Sequence, residues 1–304
     1  MYTLSDFVRG IRDPDVAAVE LNKLYHSVRT RTDHNPGGID IFDRDWDNLV
    51  ILDACRYDIF HEISGLPGSL RQVKSKASAT KQFVTANFRG KKLHDTVYVS
   101  ANGWYLSLQD EIDAEIHDFV PLHTSTFREN RYKTTLPESV TKAALDSNEQ
   151  YPNKRLIVHY VQPHRPFIGP TGDKYFSEQR GLNFQRAVHS LDKTDRRKIS
   201  RQAYRENLEI VLEDVQKLLA ELNGKTVVTA DHGELLGERL RPIPVRGYGH
   251  PLGIYHDSLI KVPWLVNDSE ERKQIISEPP SRESNRSVTP EETMEHLKDL
   301  GYAV

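Results

Sequence analysis

The stretch Val227-Val228-Thr229-Ala230-Asp231-His232-Gly233-Glu234 is a run rich in β-branched residues that stops at a carboxylate and an imidazole. Such a run reads as a buried strand. Ligands of open α/β sheets sit at the carboxyl ends of strands, so Asp231 and His232 are expected at the mouth of a site. A hard oxygen donor beside a borderline nitrogen donor suits zinc or manganese. Gly233 lets the backbone turn away without a Cβ clash. Alone, Asp-His-Gly is a weak signal, because a strand-end Asp is commonly a cap. A second apolar run, Asn48-Leu49-Val50-Ile51-Leu52-Asp53, also ends in a carboxylate. A third, Arg155-Leu156-Ile157-Val158-His159-Tyr160, continues to Pro163-His164-Arg165-Pro166 and brings His159 and His164 to a similar level. Gly247-Tyr248-Gly249-His250-Pro251 follows the Asp-His-Gly loop. Asp53, Asp231, His232 and His250, with His159 and His164 nearby, make a constellation more specific than any member.

The elements that must position these residues alternate. Strands are expected at 48–53, 95–100, 154–160 and from Val227, with a short helix from about Arg56 and another near 137–147. Residues 192 to 222 read as one long helix, capped by Asp192 or Thr194, with Leu208, Val211, Leu212, Val215, Leu218, Leu219 and Leu222 as its core stripe and Gly224 as its stop. Residues 4 to 31 read as one or two helices, and 32 to 38 as a turn-rich linker. The charged tract from Asp268 to Ser287 reads as an exposed connection. Thr289-Pro290-Glu291-Glu292 opens a last helix with a cap and Pro at its first position.

In their order along residues 45 to 304, these landmarks resemble the alkaline phosphatase and sulfatase superfamily. The landmarks are the strand ending in Asp53, a nucleophile segment some 25 residues later, Pro163-His164-Arg165-Pro166, and Thr229 to Glu238 with Tyr248-Gly249-His250. Leu259 to Val266 and the helical stretch Pro290 to Tyr302 complete them. The resemblance implies a three-layer α/β/α sandwich around a mainly parallel sheet. It also implies two regions, an N-terminal helical segment and linker at 1–38 and a catalytic domain at 39–304. Formylglycine sulfatases take their nucleophile from a Cys-x-Pro-Ser-Arg motif that this chain lacks. Its single Cys, Cys55, lies two residues past Asp53 and reads as a buried small hydrophobe. The nucleophile region holds Ser75, Ser78 and Thr80. Thr80 stands where a helix begins, so that free N–H groups and the helix dipole meet its hydroxyl. Thr80 is therefore preferred over Ser78 and Ser75, although Ser78 or Thr80 reads equally well as an N-cap.

By this likeness Asp53, Asp231, His232 and Thr80 hold a divalent ion, zinc or manganese first and calcium second. Thr80 attacks a phosphate ester, and His159 and His164 bind its oxygens or protonate the leaving group. His250 is a second-metal ligand or a leaving-group acid, Arg56 an anion clamp or a partner of Asp58, and Glu234 an orienting residue behind a ligand. Because no acidic partner stands near His159 and His164 in sequence, one tight metal is expected rather than a pair. The reaction is expected to be hydrolysis or transfer of a phosphate ester, on a small molecule, glycan or lipid headgroup. The alternatives are a sulfuric ester hydrolase and a non-catalytic anion or glycan binder.

The net charge of −3 over 304 residues does not point to nucleic acid or to an anionic membrane. Mean hydropathy is −0.61, and no stretch approaches a membrane span. One cysteine and a charged N-terminus make the cytoplasm the expected compartment, with peripheral association at a membrane as a variant of it.

Overall fold

A computed structural model describes residues 14–30, 32–128, 130–179, 184–280 and 288–301. Nine strands form two sheets among them: β1 (Asn48–Leu52), β2 (Ser69–Lys74), β3 (Lys92–Ser100), β4 (Glu115–Pro121), β5 (Arg155–Tyr160), β6 (Thr226–Thr229), β7 (Leu235–Arg239), β8 (Arg246–Gly249) and β9 (Lys261–Asn267). The longer helices are α1 (Pro14–Thr30), α2 (Tyr57–Ile63), α3 (Thr80–Phe88), α4 (Pro137–Gln150), α5 (Arg196–Glu221) and α6 (Pro290–Asp299).

Seven strands make the central sheet, in the order β2-β9-β6-β1-β5-β3-β4. β1 pairs in parallel with β5 on one side and β6 on the other, while β9 runs antiparallel to both its neighbours. The sheet is buried on both faces, which is why its central strands read as continuous apolar runs rather than alternating ones. Val50 and Leu52 pack into one core with Leu208, Val211 and Val215 of α5. Leu49 and Ile51 pack into a second with Phe83 and Phe88 of α3 and Leu297 of α6. Helices thus cover both faces, and the expected three layers are present.

Several boundaries differ from expectation. α5 starts at Arg196, because Asp192 Oδ1 instead accepts from the Thr194 N–H in a turn before it. β2 went unread because it is a largely exposed edge strand with the polar sequence Ser-Leu-Arg-Gln-Val-Lys. The tract after Asp268 is tied down: the Ile276 and Glu278 N–H groups donate to the Asn153 and His94 carbonyls, and Lys273 is buried. Of the two regions expected, the first lies partly outside the described residues, as do 281–287 and Tyr302. The Thr289–Glu292 capping box is formed as expected.

Candidate metal centre and nucleophile

Register explains why distant residues meet. Ile51 of β1 lies opposite His159 of β5 and Thr229 of β6, so the residues that follow these strands emerge at one edge. Asp53 leaves β1 with its N–H donating to the Tyr160 carbonyl, and its own carbonyl accepts from the His164 N–H. Asp231 leaves β6, and its Oδ1 accepts from the backbone of Ala54 at 3.0 Å and of His232 at 2.8 Å. Gly233 is required here by a close approach, since a Cβ on it would stand 2.2 Å from the Ser258 carbonyl oxygen.

Asp53, Asp231 and His232 are all fully buried, and one ligand atom from each lies within 4.8 Å of the others. His232 Nδ1 faces the Gly233 carbonyl at 2.8 Å. A carbonyl only accepts, so Nδ1 carries the proton and Nε2 presents its lone pair. That Nε2 lies 3.2 Å from Asp231 Oδ2 and 3.7 Å from Asp53 Oδ1. Both carboxylate oxygens are buried without a hydrogen-bond partner. Three lone-pair donors converging in a water-excluded place, two of them orphaned, fit a divalent cation and leave few alternatives. Burial, and then the charge of Asp231, hold the Asp53 carboxyl well above the usual range. Burial pushes Asp231 up too, but His232 and His159 pull it below its ordinary value.

Thr80 is the first residue of α3 and fully buried. Its Oγ1 lies 3.2 Å from His232 Nε2, and the hydroxyl is near enough to Asp53 and Asp231 to favour their ionised forms. Ser78 is otherwise engaged: its Oγ accepts from the Gly253 N–H at 2.9 Å and donates to the Pro251 carbonyl at 3.3 Å. The Ser75 hydroxyl donates to the Asp231 carbonyl. Of the three hydroxyls, the one that shares a contact with His232 is Thr80.

A second group was not assembled from the sequence. β7 and β8 form a hairpin in which Leu235 pairs with Gly249, so Glu234 and His250 flank that pair at its open end. His250 Nδ1 lies 3.1 Å from Glu234 Oε2, and His164, Glu234 and His250 offer ligand atoms within 4.8 Å of one another. The His250 ring centre is 4.5 Å from that of His232 and 5.0 Å from that of His164, which joins the two groups. His164 Nδ1 faces the Arg165 carbonyl at 2.5 Å, which places the proton on Nδ1 and the lone pair on Nε2. The acidic residue beside these histidines, which sequence spacing did not show, is Glu234.

His159 is fully buried, with Nδ1 2.8 Å from the Tyr98 hydroxyl and Nε2 without a partner. Burial pushes its pKa down to about 4, so the ring is neutral at ordinary pH. Arg56 pairs with Asp58, one of the two roles expected of it. Its fork binds Asp58 at 2.8 and 2.7 Å, and Nη1 binds Glu238 at 2.7 Å and the Glu234 carbonyl at 3.1 Å. It also steadies the start of the hairpin. Asn102, which follows β3, was missed: its Nδ2 donates to Asp53 Oδ2 at 2.7 Å, leaving Oδ1 turned to His232. No motif marks it, though a strand-end amide beside an aligned strand is a signal in retrospect. Cys55 is buried with its thiol pushed up by burial, as expected of a core residue. His256 caps a short helix by accepting from the Ser258 N–H.

No family model matches the chain, and no curated protein does. Solved structures do. One is the integral membrane protein lipooligosaccharide phosphoethanolamine transferase A from Neisseria meningitidis, at 14% identity and a TM-score of 0.46. The match covers 73% of this chain and 47% of that one, so this chain spans about half that protein's length. Another is the C-terminal periplasmic domain of EptC from Escherichia coli in a complex with zinc, at 14% identity and a TM-score of 0.43, covering 86% and 84%. A third is a 2-O GAG sulfatase, at 13% identity and a TM-score of 0.47, covering 84% and 70%. The cytoplasmic expectation is corrected by these findings, since several of the similar structures are periplasmic domains. Composition and a charged N-terminus were insufficient grounds for a compartment. The likeness is one of fold, to phosphoethanolamine transferase and sulfatase domains.

Proposed function

We propose that this chain is a metal-dependent hydrolase or transferase of phosphate esters with Thr80 as nucleophile. The observation that carries the reading is the placement of the Thr80 hydroxyl 3.2 Å from His232 Nε2, in a group where that nitrogen and the unpartnered oxygens of Asp53 and Asp231 lie within 4.8 Å of one another. Asp53, Asp231 and His232 would hold one divalent cation, zinc or manganese, and His164, Glu234 and His250 a second. Bound there, such ions supply charge neutralisation for the substrate oxygens and lower the pKa of a nearby hydroxyl. The Thr80 hydroxyl releases its proton to solvent, its oxygen forms a bond to phosphorus as the ester's P–O bond breaks in line, and a phosphothreonine results. Where that second place holds no ion, His250 delivers a proton to the departing alcohol. Water, or an acceptor alcohol, then displaces Thr80 from phosphorus. His159, near Asp231 and His232 with its Nε2 buried and without a partner, suits a non-bridging oxygen. The substrate class extends to phospho-glycans and lipid headgroups.

Sulfuric ester hydrolysis is less well supported, because Cys55 is buried beneath the strand end rather than at the head of α3. The test is a panel of phosphate and sulfate esters offered to the zinc- and manganese-loaded protein, with rapid quench and mass spectrometry of the Thr80 peptide. Phosphate esters turn over, the Thr80 peptide gains a phosphoryl group, and Thr80→Ala loses both. Turnover that survives Thr80→Ala would rule out the covalent route, and elemental analysis showing no metal held even after reconstitution would remove the enzyme reading.

A further inference from the structure

The hairpin that ends on Glu234 and His250 carries, at its far end, an arginine cluster that the site does not use. Arg239 and Arg246 are direct cross-strand partners, so their side chains share one face. Both are exposed, as is Arg241 in the turn between them. Like charges directly opposite destabilise a strand pair, and no ion pair among the described residues engages any of the three. Arg197, exposed in the first turn of α5, reaches the same hairpin, with its Cγ 3.2 Å from where a Cβ on Gly237 would be. An arginine cluster kept against mutual repulsion calls for an anion.

α1 lies along this hairpin. Asn22 exchanges two 3.0 Å hydrogen bonds with the Ile243 backbone, and His26 Nε2 is 3.2 Å from the Arg241 carbonyl. Ala18 and Val19 pack on Leu235, Leu240 and Val245. With these residues turned inward, Leu21, Leu24, Tyr25 and Val28 form an i, i+3, i+4, i+7 stripe facing outward. Val28 is 71% and Leu21 53% exposed. Leu252, two residues after His250, is exposed as well. Four of the seven large hydrophobics that are exposed in the described structure lie on α1. The net charge of the whole chain conceals so local a pattern.

Arginines alone suit any polyanion, and an apolar stripe alone suits any apolar partner. Adjoining elements that offer both suit a surface that is anionic outside and apolar just beneath. We propose that α1 and the tip of the β7–β8 hairpin dock this chain on an anionic lipid bilayer. The stripe of α1 lies in the interface, and Arg239, Arg241 and Arg246 meet the lipid phosphates. The hairpin then holds Glu234 and His250 about 17 Å from the arginine end, the length of a five-residue strand. This docking requires neither the metal nor the reaction proposed above.

The test is co-sedimentation of the full chain with phosphatidylcholine vesicles, with and without phosphatidylglycerol, at low and high salt. The protein pellets with the phosphatidylglycerol vesicles, and salt releases it. Replacing Arg239 and Arg246 by Gln lowers partitioning by about 5-fold for each arginine, and Leu21→Asp with Val28→Asp abolishes it. Thermal melts of these variants match the parent, since all four residues are exposed. Equal binding to both vesicle types, or binding to neither, overturns the proposal. Binding that survives the two Asp changes and is competed by heparin marks a site for a soluble polyanion, which also overturns it. A dimer that vesicles leave intact and Val28→Asp dissociates marks the face as an interface between copies, with the same consequence.

Discussion

Asp53 is set by Asn102. With Oδ2 held at 2.7 Å by the Asn102 amide, Oδ1 is left to face His232 and the space a cation would fill. Asn102 is itself fixed, because its Oδ1 accepts from the Trp104 N–H and the Ser100 hydroxyl donates to its carbonyl. Residues that orient metal-binding groups typically contribute 10- to 100-fold in affinity. Asn102→Leu, close in volume and without donors, is expected to weaken zinc binding by about 10-fold or more. Chelator competition measures this, with the metal-free melting temperature as the control for folding. Parental affinity in the variant would show that Asn102 is a core amide and nothing more. At this scale, too, Arg56 shows how a residue suited to phosphate by its chemistry can be claimed by nearby carboxylates.

At the scale of elements, the site depends on two strand ends and one hairpin. Gly233 lets the chain pass from β6 to β7 beneath the short helix Asp257–Ile260, its N–H donating to the Leu259 carbonyl at 2.7 Å. The Ser258 carbonyl fills the place of a side chain and belongs to backbone, which cannot easily yield. Gly233→Ala should therefore cost about 1–3 kcal/mol in urea unfolding. It should weaken metal binding at the same time, because the shift falls between His232 and Glu234. A variant with unchanged stability and affinity would mean that the loop has room after all. The hairpin matters as a lever: its pairing, and not the sequence distance of 16 residues, brings Glu234 to His250.

At the scale of the whole molecule, α6 closes the fold through two buried histidines. His296 Nε2 lies 3.0 Å from the Ala101 carbonyl, next to Asn102, and the His123 and His296 rings are 5.3 Å apart. Burial, helped by Arg128, pushes His123 down to about 4, and burial with His123 beside it lowers His296 further. The unfolded chain binds protons near the ordinary histidine value of about 6.5, so between the two values it carries more protons than the native state. Stability is therefore full above about pH 6.5 and falls as pH drops toward 4. The loss through His123 is of the order of 3 kcal/mol. Urea denaturation at stepped pH measures it, and His123→Asn should flatten the profile. An unchanged slope in that variant would place the acid sensitivity elsewhere.

Much of this was determined by sequence alone. The apolar runs at 48–53, 154–160 and from Val227 read as strands buried on both faces, and they are. Carboxylates and imidazoles at their ends fall on one edge of a parallel sheet. The meeting of Asp53, Asp231 and His232 was legible for that reason, whereas Thr80 was read from the start of a helix and the α5 stripe from its helical spacing. Tertiary structure decided what local pattern does not encode. It engaged Ser78 with Pro251 and Gly253 and set the Thr80 hydroxyl beside His232. It turned Arg56 to Asp58 and Glu238, and it joined Glu234 to His164 and His250 across a hairpin whose short strands carry little period. It supplied Asn102 from a neighbouring strand. Each of these depends on which side chains meet across strands and loops far apart in the chain, and such meetings are settled by packing rather than by any residue's immediate neighbours.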